Sequence, residues 1–91
     1  MPIPPAHGQH ALKDPSALAR LCADDLKPVI PQKFHFIGGS RGYNVLTTNP
    51  KTDTFEPCRF DYEGNMTEGA AARPSCSIGR RIAECVKQKL Q

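Results

Sequence analysis

The residues able to do chemistry in this chain are few and scattered. Histidines stand at His7, His10 and His35, and cysteines at Cys22, Cys58, Cys76 and Cys85. A Cys–His nucleophile needs an imidazole within hydrogen-bond reach of a thiol and donors for an oxyanion. Only His35 lies outside the first 13 residues, and its one candidate partner is Cys58, across a sheet. A histidine in a strand is ordinarily a half-exposed sheet residue, and no Ser-His-Asp set can be assembled beside it. His7 and His10 have no cysteine or carboxylate close in sequence to complete a zinc shell, and no Cys-x-x-Cys pair is present. Asp53, Glu56, Asp61, Glu63 and Glu68 do not follow the alternating spacing of a calcium loop. These patterns point to binding rather than catalysis, with no metal, no cofactor and no small-molecule substrate expected.

Anion binding is better represented. In Gly38-Gly39-Ser40-Arg41-Gly42, turn amides and the Arg41 guanidinium offer donors to an anion. The segment lacks a P-loop lysine and the glycine spacing of a dinucleotide site, so its first reading is a hairpin connection. Charge is unevenly spread. Residues 53–68 hold five acids and the single base Arg59, whereas residues 73–91 hold Arg73, Arg80, Arg81, Lys87 and Lys89 against Glu84. Arg80 and Arg81 are expected in the first turn of the last helix, where positive charge opposes the helix dipole. Two readings follow. In one, Lys87 and Lys89 complement the helix C-terminus while the arginines are solvated or paired with the acidic strand region. In the other, the arginines grip an anionic partner outside the chain with guanidinium forks and free helix amides.

Position depends on the elements. Ninety-one residues with 38% hydrophobic content suffice for one small domain, and nine prolines with seven glycines imply much loop. Residues 1–13, with three prolines in the first five positions, read as a flexible N-terminal arm. Residues 14–91 read as a single domain. Asp14 caps a helix, Pro15 fits its first position, and Leu18, Leu21, Cys22 and Leu26 form its apolar stripe until Pro28 stops it. Three strands follow: 33–37, alternating around Phe34 and Phe36; 43–48, rich in β-formers; and 54–62, with Cys58, Phe60 and Tyr62 on one face. Pro57 requires the third strand to be bulged or to lie at an edge. Residues 64–74 read as a loop in which Ala70, Ala71 and Ala72 form at most a short turn. The last helix starts near Ser75 or Ser77 and carries Ile78, Ile82, Cys85, Val86 and Leu90 on one face. The expected fold is α+β: helix, three-stranded antiparallel sheet, helix, with both helices on one face of the sheet.

The first residues lack the basic and apolar regions of a signal peptide, and no run approaches the roughly 20 apolar residues of a membrane span. The expectation is a cytoplasmic protein with no membrane partner. Its four cysteines are then reduced structural thiols, with Cys22 and Cys85 acting as small hydrophobes. The sequon Asn65-Met66-Thr67 has no consequence in that compartment.

The order of elements over residues 14–90 is similar to that of double-stranded-RNA-binding domains. Ser77-Ile78-Gly79-Arg80-Arg81-Ile82-Ala83 resembles the basic start of that family's final helix, and Gly38–Gly42 occupies the place of its minor-groove loop. The family's Gly-Pro-x-His loop is absent, and arginines replace its lysine pair. Size, opposed charge patches and lack of pocket chemistry are also similar in type to small phage-encoded inhibitors such as anti-CRISPR proteins, although no motif carries that likeness. The expected function is a non-enzymatic binding protein docking on a protein or ribonucleoprotein complex, as an inhibitor, through Arg41, Arg73, Arg80, Arg81 and Lys87. Direct RNA or DNA binding through the same residues is the alternative.

Overall fold

The computed structural model describes residues 14–91. The arm expected over residues 1–13, with His7 and His10, lies outside them. Asp14 has extended backbone, and its Oδ1 accepts the Ser16 amide and hydroxyl, both at 3.0 Å. This cap, with Pro15 at the first position, opens α1 (Pro15–Leu26). Leu18, Ala19, Cys22 and Ala23 are its buried face. The apolar stripe is therefore turned from the expected one. Alanines at 19 and 23 let the helix approach its neighbours closely, and Leu21 is left 45% exposed.

The linker to the sheet is pinned by Gln32, whose Nε2 donates to the Thr48 carbonyl at 3.1 Å, and by Thr47, whose Oγ1 donates to the Lys33 carbonyl at 2.7 Å. The sheet is an antiparallel meander of β1 (His35–Gly38), β2 (Gly42–Asn49), β3 (Thr54–Asp61) and β4 (Met66–Glu68), ordered as in the chain. It has four strands where three were expected. β4 falls in the segment read as a loop, because three exposed residues, Met66, Thr67 and Glu68, carry no alternation to announce a strand. β4 pairs with β3 at Arg59↔Glu68 and Phe60↔Met66, with a register shift between Arg59 and Phe60. Pro57 precedes that stretch, where β3 has only β2 beside it, so its missing N–H leaves no ladder position unfilled.

Alternation divides the sheet. Tyr43, Val45, Thr47, Cys58 and Phe60 are buried on one face, with Phe36 partly buried beside them. His35, Ile37, Leu46 and Phe55 lie on the other. His35 therefore does not meet Cys58: it pairs with Leu46 and its ring lies 6.1 Å from that of Phe55.

Both helices cover the buried face. α2 (Pro74–Leu90) begins earlier than either serine suggests, with Arg73 at the N-cap, no side-chain cap and Pro74 at the first position. Ser75 is buried within the first turn. Ile78, Ile82 and Val86 face the core as expected, and Leu90 is 47% exposed. Gly79 is the point of closest approach: a Cβ there would stand 2.5 Å from the Phe60 ring. The Tyr43 hydroxyl donates to the Gly79 carbonyl at 2.9 Å, and the Tyr43 ring stacks between Phe36 and Phe60, with centroids 5.4 and 5.7 Å away.

The cysteines overturn the reduced-thiol expectation. Cys22 joins Cys85, tying α1 to α2, and Cys58 joins Cys76, tying β3 to the first turn of α2. Cys22 and Cys85 occupy apolar faces of two helices that pack together, so the same placement that suits a small hydrophobe also suits a bridge. Their sequence separations are 63 and 18 residues. Loop-closure entropy alone makes such links worth roughly 4 and 3 kcal/mol. For a core this small, those are major contributions.

Candidate functional site: the arginine cleft between the helices

Arg80 and Arg81 lie beyond the first turn of α2, because the helix starts at Pro74. The argument from an opposed helix dipole therefore does not apply to them, nor do they stand beside free helix amides. What the fold does instead is set both, exposed, along a cleft of about 460 Å³ between the helices. Leu26 at the end of α1 forms one wall; Ser77, Glu84, Cys85 and Gln88 of α2 complete it.

Neither arginine of this cleft has an ion-pair partner among the described residues. Among the described residues, Lys27–Asp24 at 3.9 Å is the only ion pair within 4.0 Å. Residues 1–13 contain no Asp or Glu, so they hold no side-chain carboxylate to offer either arginine. Glu84 borders the cleft, yet it is not paired with either arginine. Two guanidiniums beside an apolar wall can take planar oxyanions bidentately while an adjoining apolar group covers Leu26.

The other expected contact residues are dispersed. Arg73, at the helix N-cap, spends its guanidinium on the fold by donating to the Pro57 carbonyl at 3.0 Å. Arg41 is exposed in the β1–β2 connection, where the Gly39 amide already donates to the Gly42 carbonyl at 2.8 Å. That amide is not free for an anion. The Tyr62 hydroxyl holds the same loop by donating to the Gly39 carbonyl at 2.6 Å.

Lys87 belongs to a second cleft, of about 530 Å³, lined by Pro15, Tyr62, Glu63 and Leu90 among others. Its floor is built by Asp61 and Tyr43. The Asp61 carboxylate accepts the Asn65 amide at 2.9 Å and the Glu63 amide at 3.0 Å, and takes the Asn65 side-chain amide at 3.2 Å. These bonds, the Asn65 backbone first, hold its pKa below the ordinary carboxylate value. The Tyr43 phenol moves the other way: burial pushes its pKa well above the ordinary tyrosine value, and the Asp61 charge adds to this. Both groups serve structure here: one closes the 61–65 turn, the other anchors α2.

No three His, Cys, Asp or Glu residues converge on a metal position among the described residues. Leu26, Ser77, Cys85 and Gln88 were not foreseen as site residues. Only the stripe positions of Leu26 and Cys85 hinted that the two helix faces would meet. No family profile, curated protein or solved structure matches the chain.

Proposed function

We propose that this chain is a non-catalytic binding protein that docks on a charged macromolecular partner through the arginine cleft. The observation that carries this reading is the pair Arg80 and Arg81, exposed, without a carboxylate partner and adjoining the Leu26 wall. Such a surface steers encounter with an acidic partner and sets its register. Arg41, Arg73 and Lys87 lie apart from this cleft, so they contribute at the rim of a large footprint or not at all.

The finer form of the proposal, an inhibitor of a protein or ribonucleoprotein complex, rests on size and charge pattern. The two disulfides bear on where such a partner resides. Disulfides persist in oxidising compartments and are rare in the cytosol, so we place the working protein outside the reducing cytoplasm. No described helix is long and apolar enough to cross a membrane. An anti-CRISPR role, which needs a cytosolic target, is correspondingly disfavoured.

Direct nucleic-acid binding is the second reading, because exposed guanidiniums without an ion-pair partner suit phosphate as well as carboxylate. Against it, the helix start offers only Arg73, whose guanidinium is bonded to Pro57. Affinity capture from a total cell extract, with and without nuclease, separates the readings. Docking predicts one defined protein complex that survives nuclease and is lost in Arg80→Glu, Arg81→Glu. Recovery of mixed nucleic acid, abolished by nuclease, would instead establish the second reading.

A further inference from the structure

We propose that Cys85 is a thiol–disulfide exchange site for small anionic thiols, and that exchange there unlatches α1 from α2. Three of the four half-cystines are sealed: Cys22 and Cys58 are 0% exposed and Cys76 is 1%. Cys85 is only partly buried, and it forms part of the wall of the arginine cleft. Cys85 is therefore the half-cystine that an attacking thiolate reaches with the least opening of the fold, whereas both ends of the Cys58–Cys76 bridge are buried.

The cleft also suits the attacker. Arg81 lies four residues before Cys85 and Gln88 three residues after, so both neighbour it on the helix surface. Arg81 and Arg80 raise the local concentration of an anionic thiol, and their forks match the carboxylates of a thiol peptide such as glutathione. Glu84 is the one acidic group that lines the cleft.

The step balances as ordinary exchange. A glutathione thiolate attacks Cys85 Sγ, the Cys22–Cys85 bond breaks, and a Cys85–glutathione mixed disulfide forms. Cys22 leaves as a thiolate and takes up a proton from solvent. A second glutathione thiolate then attacks the glutathione sulfur, releasing oxidised glutathione and Cys85 thiolate. Two thiols are oxidised and one protein disulfide is reduced.

The consequence is local. The Cys58–Cys76 bridge still holds α2 to β3, while α1 keeps only its packing and the contact of the Arg20 guanidinium with the Phe36 ring at 5.4 Å. The exchange itself stands on cysteine exposure and local charge, so it holds whether or not the cleft docks a partner.

The test is anaerobic titration of the oxidised protein with reduced glutathione, then trapping of free thiols by N-ethylmaleimide and peptide mass spectrometry. The expected early species carries glutathione on Cys85 and maleimide on Cys22, with Cys58 and Cys76 still joined. Opening of Cys58–Cys76 first, adducts on Cys22, or loss of both bridges together would overturn the proposal. A second measurement compares rates in Arg81→Ala. Reaction with glutathione should slow about threefold or more at low salt, while reaction with 2-mercaptoethanol, whose attacking thiolate carries less negative charge and no carboxylate, should slow distinctly less. Equal slowing of both reagents, or of neither, would show that the arginine does not select for the anionic thiol.

Discussion

Tyr43 joins the sheet to α2 through both its ring and its hydroxyl. Its ring fills the space between Phe36 and Phe60, and its hydroxyl reaches the Gly79 carbonyl across the sheet–helix interface. Its folded pKa is raised, by burial first, above the value of about 10 that it has in the unfolded chain. The linkage sign follows from that direction. The stabilisation is whole below about pH 10 and declines as pH rises from there through the folded value, because only the unfolded chain then loses the proton readily. Denaturant melts at pH 8 to 11 should show this decline in the wild type and much less of it in Tyr43→Phe. The same substitution should cost about 1 kcal/mol at pH 7 through the lost hydrogen bond. An alkaline slope equal in both proteins would assign the effect to some other group.

Among the elements, α2 is the hub: it packs on β2, β3 and α1 and takes part in both disulfides. The chain approaches its first turn through Gly69, at φ 140°, where a Cβ would stand 2.6 Å from Cys76 Sγ and 2.8 Å from Cys58 Sγ. A glycine is needed there because the bridge fills the space. How legible each element is depends on whether its signals are local. The Asp14 cap, Pro15 and the Tyr43–Thr48 run can be read directly, since capping and strand alternation need only a few residues in a row. The start of α2 cannot, because Ser75 and Ser77 have the right chemistry for a cap while Pro74 sets the boundary by its fixed φ. β4 is invisible because its evidence is a pairing with Arg59 and Phe60, not a pattern of its own. Four cysteines allow three connectivities, and only the packing of α1 on α2 and of α2 on β3 selects one. Removing the shorter bridge, in Cys58→Ala with Cys76→Ala, should lower unfolding stability by roughly 3 kcal/mol in the chain-entropy account. Equilibrium melts of the oxidised variant measure this; a loss below about 1 kcal/mol would mean that burial alone holds β3 to α2.

At the scale of the whole molecule, the groups that hold the fold differ from the arginines proposed to dock a partner. The buried face of the sheet, the two bridges and the Tyr43–Gly79 bond hold the fold, and none of them involves a side-chain charge. The one ion pair among the described residues links exposed Lys27 and Asp24, and exposed pairs contribute little. Sequence pattern identified Arg80 and Arg81 as a concentration of charge but placed them at a helix end, where the dipole argument would have made them destabilising. Their position farther along α2 removes that penalty, so their exposure costs the fold little. Replacing both with alanine should accordingly move unfolding stability by no more than about 0.5 kcal/mol, while capture of the nuclease-resistant complex is lost. The two readouts must separate for the docking proposal to hold. If the double variant melts several degrees lower, the arginines are part of the helix packing and lost capture would report damage to the fold. If it melts normally and still captures the complex, the interface lies elsewhere on the surface, and the exposed sheet face bearing Ile37 and Phe55 becomes the next place to substitute.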